Sequence, residues 1–215
     1  MTSSLLASLY AVVLTTSFLA SRMGPQARRR RQWPWATTVA VLVVGLPTLA
    51  QITVAPGLLG SLQRDWTLIG RGQLWRLLTA LVVQDGGIVG TIFNLVALVA
   101  IGVVAEQVWG AKRWTVIALA AGLGAQFWGK IVQPVGAGNS VVVFGLAASV
   151  AVLALRQGVG VQRLVGLLSL LGAAVLLIIG DIHGGAATIG ALVALTFSRG
   201  SRTPSPFLQA DREHD

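Results

Sequence analysis

Along this chain, long apolar runs alternate with short polar breaks. A helix needs roughly 20 mostly apolar residues to cross the hydrocarbon core of a bilayer. The runs that reach or approach that length are Ser4–Ala20, Trp35–Val54, Ile88–Trp109, Trp114–Val132, Ser140–Leu155, Leu164–Gly180 and Ile182–Ser198. The pattern predicts an all-α fold, a polytopic transmembrane helical bundle. The fifth run is short, and the sixth and seventh are almost continuous, so their ends are the least defined. The stretch Ala55–Asp85 breaks the pattern. It mixes Arg64, Asp65, Arg71, Arg76 and Asp85 with Trp66, Trp75 and several glycines. It reads as a long amphipathic loop at the membrane surface, where Trp is enriched.

Composition supports this picture. Of the 215 residues, 54% are hydrophobic and 11% are charged, whereas a soluble domain carries roughly a quarter charged residues. The formal net charge is +9. A nucleic-acid surface would gather that charge into one patch on a soluble fold; here the charges sit between apolar runs. With no cysteine, disulfides, thiolate metal sites and a cysteine nucleophile are excluded.

The charge carries orientation instead. A cleaved signal peptide has its basic residues before the apolar core, but Arg22 and Arg28–Arg31 follow the first span. The first span therefore reads as an uncleaved anchor. Cytoplasmic loops collect Lys and Arg, which puts the N-terminus outside and this cluster inside. Following the spans from there, twelve of the sixteen basic residues fall on the cytoplasmic side, and so does the C-terminus. An integral membrane protein of a bacterial plasma membrane is expected.

Polar groups inside a span are costly and mark candidate sites. Those in or beside the spans are Asn94, Glu106, Gln107, Gln126, Lys130, Asn139, Ser140, Asp181 and His183. His183 opens the last span and Ser140 opens the fifth, so both lie at the outer level. A serine hydroxyl becomes a useful nucleophile when a nearby base takes its proton, and histidine is the base suited to neutral pH. The plainer readings are a serine that caps its helix and a histidine that is merely interfacial.

The spacing of four motifs adds a resemblance. They are Trp75-Arg76 in the outer loop, Asn94 followed by Glu106 and Gly110, Gly138-Asn139-Ser140 with Phe144-Gly145, and His183-Gly184-Gly185-Ala186 reaching Gly190. Together they resemble the rhomboid intramembrane serine proteases. The resemblance implies a six-helix rhomboid-like core over 35–199. Residues 1–34 would then be an N-terminal transmembrane helix with a basic cytoplasmic loop, and 200–215 a disordered cytoplasmic tail. It also implies a Ser140/His183 catalytic dyad without an acidic third member. Phe144 would pack on the histidine, and Asn94 would support the oxyanion. Gly145, Ala186 and Gly190 would let helices approach closely, and Trp75 and Arg76 would shape the surface loop. No metal or cofactor is implied. The expected partners are transmembrane protein substrates and membrane lipids, with no nucleic acid.

This chain departs from the family pattern at three places. Val141 stands where the family has glycine after the serine, Gly90 where it has histidine, and Val108 where it often has arginine. These departures leave an alternative, a catalytically inactive rhomboid-like protein that binds membrane clients. Other readings are structural. Glu106 is a hydrogen-bond partner or a lipid-surface charge, and Arg76 anchors its loop on backbone carbonyls or lipid phosphates. Asn94 is equally an interhelical hydrogen bond. Lys130 extends to the outer surface. Asp181 is read as a solvent-exposed turn residue, because side chains two apart on a helix face different ways.

Overall fold

The computed structural model describes residues 3–23 and 33–199. The basic run Arg28–Arg31 and the tail 200–215 lie outside the described residues. A backbone in lipid must satisfy its own hydrogen bonds, which leaves an apolar chain the helix. The helices are α1 (Ser3–Arg22), α2 (Trp35–Thr53), the short α3 (Leu58–Leu62), α4 (Trp66–Ile69) and α5 (Arg76–Thr79), then α6 (Gly87–Val132), α7 (Ser140–Gln157), α8 (Val161–Ile178) and α9 (Ile182–Arg199). The chain is an all-α polytopic membrane protein.

Helix α6 runs for 46 residues but breaks at Gly110, whose φ is +74° and ψ 159°. Two spans result, with the boundary inside the polar stretch that separates the third and fourth apolar runs. A side chain at Gly110 would meet nothing within 4 Å. Glycine is needed there for the left-handed backbone, not for space. Trp114 Nε1 then donates to the Gly102 carbonyl at 3.0 Å and ties the two halves together.

The stretch 55–85 is more ordered than a loop. It holds α3, α4, α5 and a two-residue strand, β1 (Arg64–Asp65), which pairs antiparallel with β2 (Val135–Gly136). Asp65 caps α4 by accepting from the Thr67 and Leu68 amides. Arg76 is buried and donates to the Gly60 and Gln63 carbonyls at 3.0 and 2.8 Å and to Gln73 Oε1 at 2.7 Å. Trp75 is exposed. Lys130 is also exposed, with its Nζ 5.2 Å from the Trp66 ring centroid.

Helix α7 is the axis of the bundle. Nearly all its residues from Val141 to Ala154 are buried, and α1, α6, α8 and α9 pack around it. Its contact with α9 is made through glycine. A Cβ on Gly190 would run into the Gly145 carbonyl group and Cα, and one on Gly145 would strike Ala121. Helices in lipid lack a hydrophobic drive toward each other and gain from this close approach.

Helix α1 is seated in the bundle. Ser17 Oγ donates to the Ala147 carbonyl of α7 at 3.0 Å and lies 2.6 Å from Ser169 Oγ of α8. Gln162 Nε2 donates to the Ala20 carbonyl at 3.0 Å. By contrast, α2 leaves Leu42, Val43, Leu46, Leu49 and Ile52 exposed, an apolar face suited to lipid.

Glu106 has a structural task. It is buried on α6, and its carboxylate accepts from the Ala36 amide (2.9 Å), the Thr37 amide (2.7 Å) and the Thr37 hydroxyl (2.8 Å). Helix α2 begins after Pro34, which offers no side-chain acceptor for these amides. Glu106 thus caps the start of α2 from a neighbouring helix. Glu106→Ala should cost about 1–3 kcal/mol, because buried N–H donors lose their acceptor. A lower thermal midpoint in detergent, with the helical content kept at room temperature, is the expected reading.

Candidate active site

The connection between α6 and α7 is held on several sides. Arg64 is buried, and its Nε and Nη2 donate to the Gln133 carbonyl at 3.1 and 2.8 Å, while Nη1 donates to Gln126 Oε1 at 2.7 Å. The Ala137 amide donates to Asp85 Oδ2 at 2.7 Å, and the Gly138 amide to the Ala80 carbonyl at 2.8 Å. Ser140 follows as the first residue of α7. The capping position belongs to Asn139, whose side chain makes no capping bond. The Ser140 hydroxyl is directed elsewhere.

His183 is the second residue of α9. Its Nε2 lies 2.9 Å from Ser140 Oγ. The close crossing of α7 and α9 at Gly145 and Gly190 makes this distance possible. The Phe144 ring, one turn below Ser140, sits 4.6 Å from the imidazole, centroid to centroid.

Asp181 is placed differently from its sequence reading. Its side chain is 13% exposed, and Oδ1 lies 2.7 Å from His183 Nδ1 and accepts from the His183 amide at 2.8 Å. The expectation that the two side chains face different ways assumed that both residues are helical. Asp181 precedes the first residue of α9 and acts as its cap, so its carboxylate folds back over the first turn. The second carboxylate oxygen accepts from the Tyr10 hydroxyl of α1 at 2.6 Å. The Tyr10 ring meets the imidazole edge to face at 4.5 Å.

This network assigns the proton on His183. A carboxylate only accepts, so Nδ1 carries the hydrogen and Nε2 is left to accept from Ser140. Burial acts to raise the Asp181 carboxyl pKa. Hydrogen bonds and charge attraction from His183, with the Tyr10 bond, outweigh burial and hold it below the usual carboxylate value. The sign follows: this link contributes fully above the ordinary carboxyl range and is lost only as pH falls through the depressed value.

Beside the serine is a ring of amides. Gln84 Nε2 donates to Asn139 Oδ1 at 2.8 Å, Asn94 Nδ2 to Gln84 Oε1 at 2.8 Å, and Asn139 Nδ2 to the Asn94 carbonyl at 3.2 Å. Gln51 braces the Gln84 backbone in both directions, at 2.7 and 2.9 Å. A cavity of about 390 Å³ opens beside this ring, and Asn94 of the ring lines it together with Tyr10, Gly90, Ser140, Val141 and His183. Of the residues singled out from sequence, Ser140, His183, Phe144 and Asn94 meet at this cavity. Gly145, Ala186 and Gly190 lie beneath it in the buried α7–α9 contact, and Trp75 and Arg76 are in the surface segment.

The profile of the Rhomboid domain matches residues 71–199, more than half of the chain. The chain belongs to the rhomboid family. A rhomboid relative is "Rhomboid protease GluP" of Bacillus subtilis (strain 168), 34% identical over 104 residues. That alignment covers 48% of this chain and 20% of the relative, so the chain spans about a fifth of that protein's length. Helix α1, with Tyr10, lies outside the matched rhomboid domain. Sequence reasoning passed over Tyr10, Gln84 and the true place of Asp181. One signal was available for the first, since Tyr10 is the chain's single tyrosine and lies in an apolar span.

Proposed function

We propose that this rhomboid is an intramembrane serine protease that cleaves single-pass membrane proteins near the external face. The observation that carries the reading is the 2.9 Å contact between Ser140 Oγ and His183 Nε2 at the wall of the cavity. Ser140 Oγ attacks the scissile carbonyl carbon while His183 Nε2 takes its proton. The negative oxygen is held by the Ser140 amide, which has no partner in the helix ladder, and by the Asn94 N–H not given to Gln84. His183 returns the proton to the leaving amine, and an ester on Ser140 remains. Water, activated by the same imidazole, hydrolyses it.

Two positions favour the inactive alternative. Val141 is 3% exposed and lines the cavity, and Gly90 provides no side chain. An assembled nucleophile and base weigh more, because a chain that only binds clients gains nothing from that alignment. The test is cleavage of a single-pass reporter in liposomes with purified protein, alongside a fluorophosphonate serine probe. Cleavage with labelling at Ser140 supports the protease. A folded protein that does neither refutes it.

Gly90 offers a test of gain. It lies one turn before Asn94 on the same face of α6, and a Cβ there would meet nothing within 4 Å. Gly90→His should add an oxyanion donor and raise the cleavage rate roughly 10- to 100-fold, at or below the usual worth of such a donor because its surroundings have not been shaped for it. An unchanged kcat would show that the oxyanion lies elsewhere.

A further inference from the structure

We infer that Asp181 and Tyr10 are positioning residues for His183, so that α1, a helix outside the matched rhomboid domain, completes the site. The inference deepens the protease reading and rests on it. The carboxylate of Asp181 spends its oxygens on one purpose. Oδ1 holds both the amide and Nδ1 of His183, and Oδ2 is held by the Tyr10 hydroxyl. The imidazole is therefore fixed in tautomer by Asp181 and in tilt by the Tyr10 and Phe144 rings, whose centroids lie 4.5 and 4.6 Å from its own. Tyr10 also packs against Phe144, with centroids 5.3 Å apart. An acid that orients a histidine base in this way supports the imidazolium formed when the nucleophile loses its proton.

The support for Tyr10 is itself rigid. Val13 of α1 fills the space beside Gly172, and Ser17 is bonded to both α7 and α8. The hydroxyl is thus delivered by a helix fixed along its length. Capping alone explains the bond from the His183 amide to Oδ1. It does not explain the Nδ1 contact or the tyrosine bonded to the other oxygen. Arg64 and Asp85 also line the cavity, but Arg64 is committed to Gln133 and Gln126, and Asp85 to the Ala137 amide.

The experiment uses the full chain in detergent. Asp181→Asn keeps a residue that caps as well as aspartate, and Tyr10→Phe keeps the ring. Labelling by the fluorophosphonate probe should fall roughly 10²- to 10⁴-fold in Asp181→Asn, the upper figure being the loss when a fully buried orienting carboxylate becomes an amide. It should fall about tenfold in Tyr10→Phe, and the double variant should be little worse than Asp181→Asn, as for residues that act as one unit. A second readout does not depend on activity. With ¹⁵N-histidine and His214→Gln, one imidazole signal remains. In buffer of pH about 8.5 the ring should report Nδ1–H in the wild type, because Asp181 Oδ1 only accepts, and should lose that preference in Asp181→Asn. Wild-type labelling with both variants at wild-type rate and an unchanged tautomer would overturn the inference. Absent wild-type labelling, with the tautomer still shifted by Asp181→Asn, would sink the protease reading and leave the positioning role standing.

Discussion

Ser140→Ala and His183→Ala should each lower cleavage of a membrane-embedded reporter by roughly 10⁴- to 10⁶-fold, and the double variant should be no worse than either. The two residues act as one unit. The alanine at 140 leaves no oxygen to attack. The alanine at 183 leaves a hydroxyl that must give up its proton unaided. Neither loss should unfold the protein, because both side chains border the cavity and are only partly buried. The check is the single-turnover rate in liposomes, with circular dichroism to show retained helix. A His183→Ala protein that still cleaves within tenfold of wild type would remove the histidine from the mechanism.

The second large effect concerns packing. Gly190→Val should separate α7 from α9, because the new side chain meets the backbone of Gly145 and a backbone cannot step aside. Overpacking of a tight contact costs about 1–3 kcal/mol and sometimes more. The rate should fall further than stability alone explains, since a misplacement of about 1 Å at a reacting centre can cost 10²-fold. Gly45→Ala is the control. It lies on α2 with nothing within 4 Å of the added carbon. It should leave activity unchanged, with a slightly higher thermal midpoint from the helix preference of alanine. Equal effects at the two positions would show that glycine content, not the contact, matters.

The fold was largely legible because a bilayer makes length and apolarity decisive. The apolar runs and the helices share most of their bounds, and the break between the third and fourth runs falls at Gly110. The segment 55–85 was less legible. Helices of four or five residues are too short to show a period, and a two-residue strand shows none. The meeting of Ser140 and His183 was readable from their shared level at the starts of two parallel spans. Tyr10 was not, because its partner lies 171 residues away and only tertiary packing joins them. Asp181 was misread for a local reason. Helical spacing was applied to a residue that stands just before the helix, where a short acidic side chain turns back onto the first turn.

The Gly145–Gly190 crossing has a mechanical consequence. Ser140 is five residues above it and His183 seven, which at 1.5 Å per residue are arms of about 7.5 and 10 Å. The crossing is then a fulcrum close to the reacting groups. A rocking of α9 by about 5° would still carry His183 through about 1 Å, which is enough to matter at a reacting centre. The same rocking of α7 would swing Gln157, about 18 Å along the other arm, through about 1.6 Å. Changes in bilayer thickness that rock these helices should therefore move the far end of α7 more than Ser140, while a tilt of only a few degrees in α9 is enough to disturb the alignment of base and nucleophile.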